Sequence, residues 1–367
     1  MAVILVVEDD PVTQIYLEEL LRQDGHRVVL ASDGLEALAC LDKNIFDLIL
    51  MDIQMPTLDG YETVRRFKEG TQPEWFVPVI FLTSVETDQE LVRCLECGGD
   101  DFIRKPANPI ILRARIQAWL QRAELTNRLL MVRQDVENVI LKMRRDDQFD
   151  PRGLRVLVTP LEKTNGDIVL SACRSDRVQY VMAGDFTGHG LSAAICGPLV
   201  ADIFYRMTCR DCPPWDIISR MNEAIFNRLP VNMFLAAAFL ELDRKHGTMR
   251  VWNAAFPTVV LIRSGRMIRS FPPSLPPLGI RLHLKDEGSS THEHLAAADR
   301  VYLFSDGSVE TRSVSGDFFG EERLVRFLEG IDTQGTGLES LLPVLAEFRS
   351  GKDAVDDVTV VDVSCSP

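Results

Sequence analysis

Two sets of acidic residues carry most of the chemistry this chain offers. In the first, short apolar runs end in Glu8-Asp9-Asp10, in Asp52, in Thr83-Ser84 and in Arg104-Lys105-Pro106. Three carboxylates at one rim repel each other unless a divalent cation sits among them, and hard oxygen ligands suit Mg2+. A carboxylate held beside Mg2+ can act as a nucleophile on a phosphoryl group. The hydroxyl and the lysine would then bind the phosphoryl oxygens and neutralise their charge. In the second set, aspartates stand at turn-like positions after apolar runs. They are Asp167 in Asn165-Gly166-Asp167, Asp185 in Gly184-Asp185-Phe186-Thr187-Gly188-His189-Gly190, Asp306 in Ser305-Asp306-Gly307, and Asp356-Asp357 before Val358-Thr359. One Asp-Gly alone is an ordinary turn. Glycines 184, 188 and 190 would let the backbone approach an ion or its waters closely. Together these aspartates suggest an oxygen-rich binuclear metal centre, with two ions about 3.5–4 Å apart that activate water for phosphoester hydrolysis.

The first set has to be positioned by elements that alternate in type. Val3–Val7, Val28–Ala31, Leu48–Met51, Val79–Leu82 and Phe102–Ile103 read as short buried strands. Helical patterns lie between and after them, at Pro11–Gln23, Gly34–Asp42, Asp59–Glu69, Asp88–Cys97 and Pro109–Leu120. Five strand–helix units predict an α/β doubly wound, five-stranded parallel sheet, which binds ligands at the carboxyl ends of its strands. Residues 1–121 resemble a response-regulator receiver domain. The resemblance implies that Asp52 in Met51-Asp52-Ile53-Gln54-Met55-Pro56 is the phosphoacceptor. It implies a Mg2+ site made of Glu8, Asp9, Asp52 and the backbone carbonyl of Gln54. Thr83 and Lys105 would sense the phosphoryl group, and Phe102 would be the aromatic that changes position on activation. The phosphodonor would be a cognate histidine kinase or phosphotransfer protein.

From Arg155 onward the pattern changes to long alternating strands with helices in pairs, which predicts an α+β layered sandwich over 151–367. About residues 155–365 resemble the metal-dependent PPM-type serine/threonine phosphatases, in the branch typified by the stage II sporulation protein E. Pro160 before Asp167, the Gly184–Gly190 motif, Leu278-Gly279, Phe304-Ser305-Asp306-Gly307-Ser308-Val309-Glu310 and Asp356-Asp357-Val358-Thr359 carry the likeness. It implies two Mg2+ or Mn2+ ions bridged by Asp185. Asp167 and the carbonyl of Phe186 would complete one site, Asp306 and Asp356 the other, with Asp357 an adjacent candidate. His189 and Gly188 are further candidates in the Asp185 loop. Where the branch has Asn-Ala-Gly-His-x-Pro, this chain has Asn253-Ala254-Ala255-Phe256-Pro257.

Between the two sets lies an uninterrupted helical run. Leu125, Leu129, Val132, Val136, Val139 and Met143 recur at alternating spacings of four and three, the pattern of a coiled coil. Residues 122–150 therefore read as a helical coiled-coil linker, and Pro151 with Gly153 as its stop. Two arrangements suit the seam: a parallel homodimer, or a helix folded against its own second domain. Arg128 and Arg133 on its flanks would oppose each other in a parallel pair.

A chain of 367 residues with 46% apolar and 26% charged content suits two folded domains. A net charge of −14 argues against nucleic acid or anionic membrane as the main partner. No run is long and apolar enough for a membrane span, so a cytoplasmic protein with free thiols is expected. The pairs Cys94/Cys97 and Cys209/Cys212 lack nearby histidines and read as structural. His292 and His294 read as part of a polar loop, and Pro272–Pro277 as a rigid turn. The combined expectation is a response regulator whose output is phosphoprotein hydrolysis, with an anti-sigma-factor antagonist as substrate by resemblance. The alternative is a catalytically silent adaptor that binds a sigma factor or its regulator under receiver control.

Overall fold

The computed structural model describes the chain except residues 71–74, 85–87, 145–147, 161–163, 175–176, 189, 287–288, 335, 352–353, 355 and 366–367. It divides into two compact units, Met1–Val136 and Glu137–Pro367.

The first unit runs β1 (Val3–Val7), α1 (Pro11–Gln23), β2 (Arg27–Ala31), α2 (Gly34–Leu41), β3 (Leu48–Asp52), α3 (Gly60–Gly70), β4 (Val79–Thr83), α4 (Asp88–Glu96), β5 (Asp101–Arg104) and the start of α5 (Pro109–Arg144). All five strands are parallel, in the order β2-β1-β3-β4-β5. β3 and β4 are buried at every residue, as expected of central strands covered by helices on both faces. Leu5, Ile49 and Phe81 face one apolar cluster and Ile4, Leu50 and Ile80 the other, which is the period-two alternation of a strand. Helix starts follow local chemistry. Asp10 accepts from the Val12 and Thr13 amides ahead of Pro11 at the first turn, and Asp33 accepts from the Glu36 amide.

α5 is one helix of 36 residues. Its apolar seam faces solvent: Leu125 is 58% and Leu129 72% exposed, and Val132, Val139 and Met143 are also exposed. The other face is engaged. Ala123, Asn127, Glu137 and Ile140 are buried, and Asn127 exchanges two hydrogen bonds with the Phe76 backbone, at 2.7 and 2.9 Å. The linker's end nevertheless belongs to the second unit, where Glu137 and Ile140 are buried, so it packs there through residues outside the seam.

The second unit adds β6 (Leu154–Thr159), β7 (Asp167–Cys173), β8 (Val178–Phe186), α6 (Leu191–Ala194), α7 (Gly197–Thr208), α8 (Pro214–Arg228), β9 (Leu235–Asp243), β10 (Thr248–Ala254), β11 (Val259–Arg263) and β12 (Arg266–Phe271). It continues with β13 (Ser290–His294), β14 (Asp299–Phe304), α9 (Asp306–Val309), α10 (Glu321–Gln334), a 3-10 turn at Leu338–Ser340, α11 (Leu341–Arg349) and β15 (Val358–Ser364). Two antiparallel sheets, β13-β10-β9-β8-β7 and β12-β11-β14-β15-β6, enclose a core that includes Val181, Leu240, Val251, Leu261, Val301 and Val361. α7 and α8 cover the outer face of the first sheet, α10 and α11 that of the second. The result is a four-layer sandwich.

Several local expectations change. The helical stretch after Gly190 breaks at Ile195–Cys196 into α6 and α7, because Pro198 cannot continue the α6 hydrogen bonding. His292 and His294 lie on the edge strand β13 and not in a loop; their alternation with Thr291 and Glu293 is a strand's period two. Asp167 opens β7 and Asp185 lies within β8, so neither sits in a turn.

Candidate phosphoryl-transfer and metal sites

In the first unit, the parallel strands β1, β3 and β5 end at one rim, with β4 between β3 and β5. Each of Glu8, Asp9 and Asp52 places one carboxylate oxygen within 4.8 Å of the others. Glu8 and Asp52 are buried, Asp9 is exposed. The Lys105 ammonium lies 2.7 Å from Glu8 and 2.8 Å from Asp52. Burial raises the Glu8 carboxyl, and the Asp52 charge adds to the rise against the opposing pull of Lys105. Burial works to lower Lys105, but its hydrogen bonds to Asp52 and Glu8 prevail and hold the ammonium above its ordinary value. A donor set of three carboxylates with one lysine as counter-charge fits a hard divalent ion.

The other residues expected to act in this domain lie as follows. Thr83 is buried at the end of β4, and its carbonyl accepts the Lys105 amide at 2.7 Å. The bond between Lys105 and Pro106 is cis. Phe102 is half-buried, with the Arg115 guanidinium 5.9 Å from its ring. Gln54 is exposed beyond Asp52, whose Oδ1 accepts the Ile53 amide. Gly60 closes the loop: a Cβ there would stand 2.1 Å from the Asp52 carbonyl oxygen.

In the second unit, the aspartates come from both sheets to one end of the sandwich. Asp167 and Asp185 are paired residues of antiparallel neighbours, so their carboxylates share a face. Asp306 opens α9 directly after β14, and Asp356-Asp357 precede β15, the strand beside β14. Ser305 fastens these ends together. Its amide donates to the Thr359 carbonyl, and its hydroxyl accepts the Thr359 amide, both at 2.9 Å. Gly307 lets α9 press onto β15, since a Cβ there would lie 2.0 Å from the Asp357 carbonyl oxygen.

Asp356 and Asp357 have different surroundings. Asp357 is buried and its Oδ2 accepts the Gly166 amide at 3.1 Å, a strut between the two sheets. Asp356 is exposed and its Oδ1 accepts the Asp357 amide at 2.8 Å. At Gly166, a Cβ would stand 3.1 Å from both Asp185 Oδ1 and the Phe186 carbonyl oxygen, so those two oxygens face one small volume.

Like charges gather at this end of the sandwich. Burial pushes Asp185 up to about 9, aided by the charges of Asp167, Asp306, Asp356 and Asp357. Burial likewise raises Asp167 to about 7; the Thr359 and Ser305 hydroxyls pull it down, while Asp357 and Asp306 push it up. Asp306 is also raised, by burial and then by Glu310. The neighbouring charges that raise these three groups are carboxylates. Such a donor set fits divalent cations held by oxygen.

Sequence reasoning did not anticipate the parts played by Ser305, Thr359 and Gly166, which hold the aspartates and are signalled only by their adjacency to them. Gly184 has another reason than ion approach: a Cβ there would meet Leu235 Cδ1 at 2.9 Å. Gly188 sits at φ 90 and His189 lies outside the described residues. Asn253 is buried and ties its own turn, accepting the Phe256 amide and donating to the Pro257 and Phe271 carbonyls. Ala255 takes the left-handed conformation at φ 57, and Phe256 is buried in the core between the sheets.

Comparison with known proteins agrees with this division. Residues 175–366 match the family model of stage II sporulation protein E (SpoIIE), and residues 4–117 that of the response regulator receiver domain. The transcriptional regulatory protein AfsQ1 of Streptomyces coelicolor is 39% identical over 124 residues, covering 34% of this chain and 53% of that protein. The chain thus spans about half the length of the curated relatives it matches. Among solved structures, the SiaA-PP2C domain of Pseudomonas aeruginosa is 18% identical with a TM-score of 0.55, covering 64% of this chain and 97% of that one. The PP2C phosphatase domain of Bacillus subtilis SpoIIE, with a fragment of its regulatory domain, is 17% identical with a TM-score of 0.50. It covers 58% of this chain and 61% of that one. At these identities the likeness is one of fold.

Proposed function

From a chain that belongs to the stage II sporulation protein E family and carries a response-regulator receiver domain ahead of it, we propose a phosphorylation-controlled, metal-dependent protein serine/threonine phosphatase. The receiver is taken as 1–121, the helical linker as 122–150 and the phosphatase domain as 151–367. Asp52 accepts a phosphoryl group from a histidine kinase or phosphotransfer protein. Glu8, Asp9, Asp52 and the Gln54 carbonyl hold Mg2+. Lys105, already seated between Glu8 and Asp52, neutralises the added charge, and the Thr83 hydroxyl receives a phosphoryl oxygen. Phe102 answers that change at the surface.

One observation carries the phosphatase half: aspartates of both sheets converge on one end, where burial and neighbouring carboxylates raise Asp167 and Asp185. Asp185, Asp167 and the Phe186 carbonyl would hold one divalent ion, and Asp185 with Asp306 and Asp356 would hold a second. Asp356 is preferred to Asp357 because the Asp357 carboxylate is already bonded to the Gly166 amide. Two bound Mg2+ or Mn2+ ions supply Lewis acidity and lower the pKa of water. The chain's own part is to hold these oxygens rigid, through Ser305, Gly307 and Asp357, so that little reorganisation accompanies the reaction. The substrate is a phosphoprotein, by family resemblance an anti-sigma-factor antagonist, in a cytoplasmic setting. The exposed seam of α5 supports a homodimer through the linker.

Hydrolysis of p-nitrophenyl phosphate by the full chain tests the reading. Mn2+-dependent turnover should fall at least about 100-fold in Asp185→Ala, as expected when a bridging ligand is lost. Beryllofluoride, an acyl-phosphate mimic, should change turnover on a phosphoprotein, and Asp52→Asn should abolish that change. No turnover with Mn2+, beryllofluoride and a phosphorylated partner together would favour the adaptor, for which the Ala255-Phe256 replacement is the supporting observation.

A further inference from the structure

Beside the aspartate cluster, under α11, lies a cleft of about 340 Å3. Pro160, Leu342, Ala346 and Val358 make it largely apolar, and Asp356 and Arg349 bring charge to its lining. Arg349 stands in the last turn of α11 and makes no hydrogen bond or ion pair among the described residues. Its Nε is buried without a partner. A desolvated guanidinium N–H left unbonded is costly, and this one shares its cleft with Asp356. Arginine there offers a planar fork matched to phosphate or carboxylate.

An incoming phosphomonoester brings up to two negative charges to the end of the sandwich where these aspartates gather. A cation beside the cluster, on the side from which a peptide could lie in an apolar cleft, is therefore complementary to a phosphopeptide. We infer that the cleft seats the apolar flank of a phosphoserine or phosphothreonine segment and that Arg349 bonds its phosphoryl group. This deepens the phosphatase reading and takes its site as the premise. The occupant is a peptide and not a small phosphate ester, because only a peptide supplies both the anion and a neighbouring apolar side chain.

The test is binding of a fluorescent peptide to the full chain in Mn2+, followed by anisotropy. The peptide carries a non-hydrolysable phosphonate analogue of phosphothreonine flanked by leucine. Companion peptides carry threonine in place of the phosphonate, or glycine in place of the leucine. Arg349→Met should weaken the phosphonate peptide about tenfold and the threonine peptide less than about twofold, the range of one charge-assisted hydrogen-bonding contact. Arg349→Lys should recover part of the loss. Ala346→Trp, which fills the cleft from an exposed position, should erase the preference for leucine over glycine. Thermal melts of each variant report folding. Equal phosphonate binding by wild type and Arg349→Met, or no preference of the wild type for leucine, overturns the inference. The measurement needs no turnover. Binding as expected in a chain that hydrolyses nothing sinks the phosphatase reading alone, and turnover with an indifferent Arg349 sinks the cleft alone.

Discussion

Asp185 and Asp167 dominate the chemistry at the residue scale, and their ionisation fixes how stability should depend on pH. Both ionise near 3.8 when unperturbed, and near 9 and 7 in the folded chain without metal. Between these values the folded state holds more protons than the unfolded one. Their contribution to metal-free stability is therefore complete below about pH 4 and is lost as pH rises through about 7 and about 9. Divalent ions displace the same protons, so stabilisation by Mn2+ should grow with pH across that window. Melting temperatures in EDTA from about pH 5 to about pH 9 should fall, and Asp185→Asn should flatten the slope. A slope unchanged by Asp185→Asn would refute the assignment. Ala255 offers a second check. A left-handed alanine is strained by about 1–2 kcal/mol, part of which glycine regains at an entropic cost, so Ala255→Gly should stabilise by about 0.5–1 kcal/mol. Denaturant unfolding at fixed metal measures it. The replacement of Gly-His by Ala-Phe was visible in the sequence. That the phenylalanine is buried in the core while the alanine takes a left-handed conformation was not, because neither φ nor burial is written in residue identity.

Among the elements, the crossing of α9 on β15 and the seam of α5 make the sharpest demands. Gly307→Ala would force a Cβ to 2.0 Å from the Asp357 carbonyl oxygen and push apart the strand ends that carry Asp306 and Asp356. The expected cost is about 1–3 kcal/mol, with weaker Mn2+ binding, read by calorimetry. α5 keeps one stripe for its own unit, through Ala123 and the Asn127 bonds to Phe76, and leaves Leu125, Leu129 and Val132 in water. Light scattering of the full chain should show a dimer, with Leu129→Asp and Val136→Asp driving it to monomer. A monomeric wild type in both phosphorylation states would remove the linker dimer. The heptad spacing was legible because side-chain periodicity needs only local helix geometry. Which stripe would be buried was not, since Asn127 owes its place to a loop about fifty residues away.

For the whole molecule, α5 is the covalent path from the receiver rim that carries Asp52 to an aspartate cluster suited to metal. No helix among the described residues is long and apolar enough to cross a membrane. Residue type and local order alone determined the receiver's strand order of chemistry, the identity of the candidate ligands and the heptad seam. Those features are encoded within single elements or at their ends, where apolar runs, caps and turn residues act over a few positions. Tertiary structure alone decided that Asp167 stands opposite Asp185, that Asp357 is a strut while Asp356 lies open, and that Arg349 reaches the same cleft as Asp356. The longest of these links, Asp357 to Gly166, joins segments 191 residues apart. Their meeting depends on how two sheets stack and close, which no local pattern specifies.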